Sequence, residues 1–246
     1  MAANAFLLIA VYLLLLMVLA QPLGRGLASL VADKPVFARL EAPLWRLLGA
    51  QQSDMRWPHY LLAILLFNAL GFVVLLAILL MQGALPLNPQ QLPGLSWHLA
   101  LNTAISFVTN TNWQSYSGED TLTNASQMLG LTVQNFASAA VGMCVAVALI
   151  RGIGHLGYDR DTLATENGQH LIGNFWVDLT RGLVRILLPL SLFISTVLVL
   201  GGTMQTFGSN LVTESGVDIS RAPVASQEAI KLLGTNGGGI FGANSA

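Results

Sequence analysis

The sequence predicts an all-α polytopic membrane protein, and three observations support this fold class. The chain of 246 residues is 54% hydrophobic and only 9% charged, whereas a soluble domain carries about 25% charged residues. Four apolar runs are candidates for spanning helices, each of which needs roughly 20 mostly apolar residues. The runs are residues 6–20, 60–81, 126–150 and 183–202. Finally, no Lys or Arg occurs from Trp57 to Ile150, so the basic residues are confined to separate segments.

The first apolar run is expected to be a retained transmembrane helix over residues 1–22. A secretory signal peptide begins with basic residues ahead of its apolar core. In this sequence no Lys or Arg precedes Arg25. The run is therefore interpreted as an N-terminal helix and not as a cleaved leader.

The distribution of basic residues predicts how the chain crosses the membrane. Nine of the eleven Lys and Arg residues lie in or next to two segments, 23–59 and 151–182. Cytoplasmic loops are enriched in Lys and Arg, so both segments are expected to be cytoplasmic. The N-terminus, residues 82–125 and everything after residue 202 are then expected outside. The net charge of −1 leaves no basic surface for a nucleic acid partner.

Apolar residues recur at near-helical spacing over 171–185, LIGNFWVDLTRGLVR, with Arg181 and Arg185 beside them. This pattern predicts an amphipathic helix in the second cytoplasmic loop, lying on the inner face of the membrane. Such a surface is equally suited to docking a partner subunit.

Residues 60–150 are predicted to form one repeat of span, pore helix, filter loop and span. Its outer segment begins with three prolines over 85–93 and continues with WHLALNTAISFV, residues 97–108. That apolar run is too short to cross a bilayer, which favours a re-entrant helix, although a surface helix has the same pattern. The polar stretch TNTNWQ follows at once. Non-helical backbone at membrane depth occurs where protein buries it or where it lines a wet cavity.

The polar stretch after this short helix has the chemistry of a site for a monovalent cation. Hydroxyls, amides and backbone carbonyls present oxygen dipoles without a fixed charge, and rings of carbonyls replace the hydration shell of the ion in potassium channels. Divalent ions usually recruit carboxylates instead. Amides in membrane helices also form ordinary interhelical hydrogen bonds, and this simpler interpretation is preferred for Gln134 and Asn135 in the next span.

Residues 183–246 are predicted to hold a second, incomplete repeat with the same order of parts. The span is followed by an outer segment and by Ala225–Leu233, which is short and helix-prone, with Ser226 as its expected N-cap. This helix leads into GTNGGG. Glycine permits backbone conformations closed to other residues, so the triple glycine is either a turn that aims carbonyls at an ion or a flexible connection.

A weak match in letters accompanies the match in the order of parts. The Thr-Asn pairs at 109–110 and 235–236 superimpose at an offset of 126 residues. In that alignment the Ala-Ile pairs at 104–105 and 229–230 are one residue out of step. Internal repeats are common in ion-transporting membrane folds, so the repetition favours a transport function.

The sequence lacks the residues that a membrane enzyme would need. It has one cysteine, four scattered histidines and no GxxxxGK phosphate-binding motif, and its one pair of adjacent carboxylates is Glu119 and Asp120. Those two carboxylates either attract cations to an outer mouth or form a solvated turn. The chain is therefore not expected to hydrolyse ATP by itself, and an enzyme or a scaffold is the less favoured function.

Four stretches are more specific than these general features: SFVTNTNWQSYSGE, LPLNPQQLPGLSWHLALNTA, PVASQEAIKLLGTNGGG and GLTVQNFASAAVG. Together with the first apolar run, they resemble the KdpA family, the potassium-binding subunits of bacterial Kdp potassium pumps. The resemblance covers most of the chain. It implies four span–pore helix–span repeats of potassium-channel-like type around a pseudo-fourfold axis, with an extra N-terminal transmembrane helix. The sequence holds one such repeat and most of a second, so it is expected to be a piece of a longer chain.

The resemblance also implies which residues bind the ion. The first filter loop would be formed by residues 108–112, with Gln114 as a side chain linked to selectivity, and the second by residues 235–239. The implied ion-binding residues are Val108, Thr109, Asn110, Thr111, Asn112, Gln114, Thr235, Asn236, Gly237, Gly238, Gly239 and Asn244.

Members of this family work in a complex, so the resemblance implies partners as well. They are a P-type ATPase subunit, which binds and hydrolyses ATP, and two small membrane subunits, all in the bacterial inner membrane. The KdpA-type subunit would capture external K+ in a filter of backbone carbonyls, without a covalent cofactor, and pass it to the ATPase subunit through an intramembrane tunnel. The alternative is a channel-like potassium transporter of the same superfamily that needs no ATPase, and it would share the same filter chemistry.

Overall fold

The computed structural model describes residues 2–31, 42–43, 53–156, 165–166, 169–216 and 218–242. In this part of the chain most residues are helical, and four helices are long and apolar enough to cross a membrane. The predicted all-α membrane fold is therefore confirmed. The helices are α1 (Ala2–Val31), α2 (Trp57–Met81), α3 (Trp97–Val108), α4 (Gly118–Thr121), α5 (a π-helix, Ser126–Thr132, continued by Val133–Leu156), α6 (Phe175–Arg181, a π-helix Gly182–Leu187, and Leu188–Leu200) and α7 (Val224–Leu233). The strands form two short antiparallel hairpins, β1 (Thr165–Glu166) with β2 (Gln169–His170) and β3 (Leu211–Val212) with β4 (Asp218–Ile219).

The chain divides into two compact units, and the first of them, residues 1–51, contains α1. This helix runs from Ala2 to Val31, so it continues nine residues past the end predicted at residue 22. Pro22 lies inside it and removes one backbone donor. The helix nevertheless continues past the proline, and Ala5–Ala28 is apolar enough to cross a membrane.

The second unit, residues 52–246, is built around α2, α5 and α6. Helix α2 begins at Trp57 with Pro58 in its first turn, where the missing proline N–H has no intrahelical partner to lose. One half of α2 packs against α3 in a cluster of buried apolar side chains. The cluster consists of Leu75, Leu79, Leu95, Ala100, Ala104, Phe107, Leu122 and Leu131.

At the other end of the bundle, a buried polar cluster joins the same three long helices. The Tyr60 hydroxyl of α2 donates to Asp178 Oδ2 at 2.9 Å, and the hydroxyl oxygen also lies 3.0 Å from the Cys144 carbonyl oxygen of α5. Arg151 of α5 binds the same carboxylate through two guanidinium nitrogens, at 2.6 and 2.9 Å. Because Asp178 is only 6% exposed, this bidentate pair supplies the countercharge that a buried carboxylate needs.

Helix α6 starts earlier than the sequence predicted, and this corrects the assignment of an amphipathic helix to the loop 151–182. Residues from Phe175 onward are continuous with the span that ends at Leu200. Asn174 begins the helix by accepting hydrogen bonds from the backbone N–H groups of Trp176 and Val177, at 3.0 and 3.3 Å. Phe175 and Leu179 of the apolar stripe are buried in the cluster with α2 and α5, and Ile172 and Leu183 pack against it, while Trp176 is exposed. Most of the stripe therefore belongs to the core of the bundle.

The proline in α6 does not end that helix. A π-helix over Gly182–Leu187 precedes Pro189, and α-helical geometry resumes at Leu188. Proline removes one backbone donor from a helix interior, and a local π segment is one of the ways in which a helix adapts its hydrogen bonds around such a break.

Candidate functional site

The first loop begins where α3 ends, at the position that the sequence predicted. The Thr111 N–H donates to the Ser106 carbonyl at 3.0 Å, and the Asn110 N–H donates to the Phe107 carbonyl at 3.3 Å. Asn110 adopts a left-handed conformation with φ +60°. These two hydrogen bonds and the left-handed residue define a Schellman ending of the helix. Asparagine tolerates this conformation better than most residues, so the sequence is suited to its turn.

The second loop leaves α7 through the same turn. The Asn236 N–H donates to the Lys231 carbonyl at 3.0 Å, and the Thr235 N–H donates to the Leu232 carbonyl at 3.3 Å. The left-handed residue is here Thr235, with φ +55°. A β-branched residue in this region is an outlier, and such strained backbone is concentrated at functional sites.

The equivalent turns fix the register between the two repeats at 125 residues, which corrects the offset of 126 taken from the Thr-Asn pairs. Asn110 corresponds to Thr235, and Asn112 (φ +53°) corresponds to Gly237 (φ +93°). The Ala-Ile pairs, which are one residue out of step at an offset of 126, coincide in this register. The shared letters of the two Thr-Asn pairs therefore fall on positions that are not equivalent.

A paired amide holds the two loops together. Gln114 Nε2 donates to the Gly239 carbonyl at 2.9 Å, and the Gly239 N–H donates to Gln114 Oε1 at 2.9 Å. The glutamine amide thus bonds both backbone groups of one residue in the other repeat, and Gln114 and Gly239 are themselves equivalent in the 125-residue register. Gly238 packs against Phe107 and Asn112, since an added Cβ would lie 3.2 and 3.3 Å from them.

Helix α5 contributes two side chains to the loops, and the sequence did not identify either as part of the site. Asn135 is fully buried and its Oδ1 accepts from Asn112 Nδ2, so it contacts the first loop. The Ser138 hydroxyl donates to Asn110 Oδ1 at 2.8 Å and lies 3.2 Å from Asn236 Nδ2. The available signal was their spacing, because residues at i and i+3 share a helix face and a serine in the run ASAA stands out.

The candidate residues divide into exposed and buried positions. Thr109, Thr111, Thr235 and Gly237 are exposed, Val108, Asn110 and Gln114 are half-buried, and Asn112, Asn236, Gly238 and Gly239 are buried. Asn244 lies outside the described residues. The asparagine and glutamine amides form hydrogen bonds within the protein, but Asn112 Oδ1 and Asn236 Oδ1 are buried without a donor. These two oxygens, the threonine hydroxyls and the backbone are therefore possible ligands. Among the residues that the structure describes, no three His, Cys, Asp or Glu side chains form a metal-binding group.

The start of α7 differs from the prediction that Ser226 is its N-cap. The helix begins at Val224, and Ser226 lies inside its first turn. Its N–H donates to Gln205 Oε1 at 3.0 Å, and the Ala225 N–H donates to the Met204 carbonyl at 3.0 Å. The free N–H groups of a helix start can be satisfied by any nearby oxygen, and here the segment after α6 supplies the accepting oxygens.

Segments beyond the loops also meet. Gly118 approaches the Ile240 carbonyl so closely that an added Cβ would lie 2.0 Å from the oxygen. Next to it, Glu119 Oε2 accepts from the Gly242 N–H at 2.6 Å. The sequence left two roles open for Glu119, and the structure adds a third. Its carboxylate connects the segment after the first loop with the segment after the second.

Comparison with known proteins shows to which family the chain belongs. A sequence model of the family described as "Potassium-transporting ATPase A subunit", KdpA, matches residues 10–246. The chain belongs to the KdpA family. It is 57% identical over 252 residues to the potassium-transporting ATPase potassium-binding subunit of Erwinia tasmaniensis, and 55% identical to those of Yersinia enterocolitica and Cronobacter sakazakii. Each alignment covers all of this chain and 43% of the relative, so this KdpA-family chain spans less than half the length of these relatives. With four apolar helices of spanning length, it is a multi-pass membrane protein.

Proposed function

We propose that this chain forms the potassium-capturing part of an ATP-driven potassium uptake complex in the bacterial inner membrane. Its two loops would contribute to a selectivity filter that binds external K+. The ion would then pass through an intramembrane tunnel to a P-type ATPase subunit, which binds ATP and is accompanied by two small membrane subunits. The distribution of Lys and Arg supports an N-terminus on the outside.

One observation carries this proposal: two short helices end in the same turn, and their loops are bonded to each other in matching register. The exposed loop positions carry hydroxyls and backbone but no charged side chain. Neutral oxygens suit a weakly hydrated monovalent ion. The names of the relatives, as potassium-binding subunits of potassium-transporting ATPases, support K+ as that ion. Co-purification with an ATPase subunit would separate this function from the channel-like alternative.

A matched pair of glycine variants tests the filter. Gly237→Asp is expected to weaken K+ affinity or K+ preference about tenfold or more, an effect of at least about 1.4 kcal/mol. An added Cβ at Gly237 meets nothing within 4 Å, so the carboxylate would project into open space next to the loop and favour more strongly hydrated cations. The assay is ATP hydrolysis by the purified complex as a function of K+, Rb+ and Na+ concentration.

Gly216→Asp is the control for this experiment. Gly216 also has a positive φ, +82°, and an added Cβ there also meets nothing within 4 Å, but it lies in the turn between β3 and β4. The two substitutions therefore impose a similar backbone cost and the same charge. If both variants retain the K+ affinity and preference of the wild type, the second loop is not part of a filter.

A further inference from the structure

One serine of α5 and one asparagine from each loop form a closed set of hydrogen bonds. The Ser138 hydroxyl donates to Asn110 Oδ1 at 2.8 Å. Asn236 Nδ2 donates to that same Oδ1 and lies 3.2 Å from Ser138 Oγ. Ser138 and Asn236 are 3% and 4% exposed. Every pair among the three side chains is therefore in contact, with Ser138 and Asn236 buried and Asn110 half-buried.

The single hydroxyl proton of Ser138 determines to which neighbour this side chain donates and from which it accepts. A hydroxyl has one proton to donate and two lone pairs that accept. The contact to Asn110 is shorter than the alternative contact to the Asn135 carbonyl, at 3.3 Å, so the proton is directed to Asn110. The lone pairs then accept from Asn236. Ser138 thus serves both loops at once, as donor to the first and acceptor from the second.

The two asparagines occupy the turns that set the path of each loop. Asn110 is the left-handed residue of the first Schellman ending, and Asn236 directly follows the left-handed Thr235 of the second. A third element that hydrogen-bonds to both turns restrains their separation. Discrimination between cations depends on how oxygen ligands are arranged around the ion.

We infer that Ser138 is a positioning residue for ion selectivity, which holds the two loops at a fixed separation through Asn110 and Asn236. This inference rests on the proposed function, because it assumes that the loops bind the ion. Ser138 itself does not need to touch the ion. Its loss would loosen the loops and leave the rest of α5 in place.

The test compares Ser138→Ala, Ser138→Thr and Ser191→Ala in the complete ATPase complex. Ser138→Ala is expected to raise the half-saturating K+ concentration about fivefold, the equivalent of one neutral hydrogen bond, and to reduce the preference for K+ over Rb+. The maximal rate should change little. Ser138→Thr keeps the hydroxyl and should stay close to wild type. Ser191→Ala is the matched control, because this serine is also buried and donates only to the Leu188 carbonyl, at 2.9 Å.

A second variant shows whether the effect runs through the loops. If Ser138 acts through Asn236, then Ser138→Ala should have a smaller effect when Asn236→Ala is already present. Additive effects would overturn the inference, and so would a Ser138→Ala complex with unchanged K+ affinity and unchanged preference over Rb+. If Ser138→Ala does not assemble, Ser138→Cys takes its place with the same two criteria, since the slightly larger thiol fills the space of the hydroxyl but is a weak donor. Failure of the proposed function is a separate outcome, in which the wild-type complex itself shows no saturable response to K+.

Discussion

The contact between Gln114 and Gly239 can be tested by replacing a single atom group, in the variant Gln114→Glu. Glutamate has the shape of glutamine and keeps the oxygen that accepts from the Gly239 N–H, at 2.9 Å in the wild type. The amide nitrogen becomes a second carboxylate oxygen, which would face the Gly239 carbonyl oxygen across the 2.9 Å now occupied by a hydrogen bond. The change thus converts one attractive contact between the loops into a repulsive one.

The size of the effect follows from this geometry. A neutral hydrogen bond contributes about 1 kcal/mol, and a buried carbonyl left without a donor costs about 1–3 kcal/mol more. The sum of about 2–4 kcal/mol corresponds to a rise of about 30-fold or more in the half-saturating K+ concentration. Tyr116 moderates this effect, because its hydroxyl lies 3.1 Å from the Gln114 amide nitrogen and can donate to the new oxygen. Burial raises the pKa of the Tyr116 hydroxyl, so the hydroxyl keeps its proton at the pH of the assay, and the lower end of the range of effects is expected.

The defect should depend on pH with a defined sign. The Gly239 N–H and the Tyr116 hydroxyl bond either form of the new carboxyl, but only the protonated form can donate to the Gly239 carbonyl as the amide does. We therefore expect the site to favour the neutral form and to raise the pKa of the introduced carboxyl above its usual value of about 4.3. The defect is then complete above this raised pKa and is relieved as the pH falls through it. The assay is the K+ dependence of ATP hydrolysis by the assembled complex over a pH series, with Gln91→Glu, at an exposed amide, as the control. Wild-type affinity at neutral pH, or a defect that does not respond to pH, would refute the reasoning.

Two further predictions concern stability and the contact between the repeats. Asp178→Asn should destabilise the detergent-solubilised protein by about 3 kcal/mol, because it leaves the Arg151 guanidinium without its buried countercharge. Thermal unfolding should show no such loss for the exposed Asp120→Asn. Equal unfolding midpoints for the two variants would contradict the assigned role of the buried cluster around Asp178. Gly118→Ala should displace the segment after the second loop, since the new Cβ would lie 2.0 Å from the Ile240 carbonyl oxygen, and should weaken K+ affinity. Gly142→Ala, where an added Cβ meets nothing within 4 Å, should leave K+ affinity unchanged, and the same result for Gly118→Ala would refute the close approach.

The sequence was sufficient to predict the four spanning helices and the two short helices that lead into the loops, but not all of their ends or the register between the repeats. The first short helix was predicted at its observed bounds, Trp97–Val108, because an apolar run without a breaker ends at a polar stretch. The register was misjudged by one residue because it was taken from identical letters. What the two repeats share is a turn set by backbone hydrogen bonds, and Asn110 and Thr235 both occupy its left-handed position. Residue identity therefore does not mark the equivalent positions.

Side-chain partners were harder to predict than helices for a related reason. An amide inside a spanning helix has the same local sequence whether it faces another helix or a loop. Asn135 was assigned an interhelical role, yet its partner is Asn112 of the first loop. Similarly, the segment beginning at Phe175 has the apolar spacing of a surface helix, and only its packing against α2 and α5 shows that it is part of the core. Periodicity predicts that a face is apolar but does not identify what covers it.

The corrected register also shows that the two repeats stabilise their loops differently. Glu228 and Lys231 of α7 correspond to Thr103 and Ser106 of α3, and all four are buried. In the first repeat, the Ser106 hydroxyl donates to the Trp113 carbonyl at 3.0 Å and so ties the loop to its own helix.

In the second repeat, Lys231 bonds Glu228 one turn away, at 2.9 Å, and its ammonium group is directed to the helix itself. A buried ion pair of this kind must stay intact, because removing either partner leaves an unpaired charge. The second loop instead receives its side-chain hydrogen bonds from Gln114, Asn110 and Ser138. All three lie in the first repeat, so the conformation of the second loop depends on the first loop more than the first depends on the second. A disturbance of the first loop should therefore alter both halves of the site.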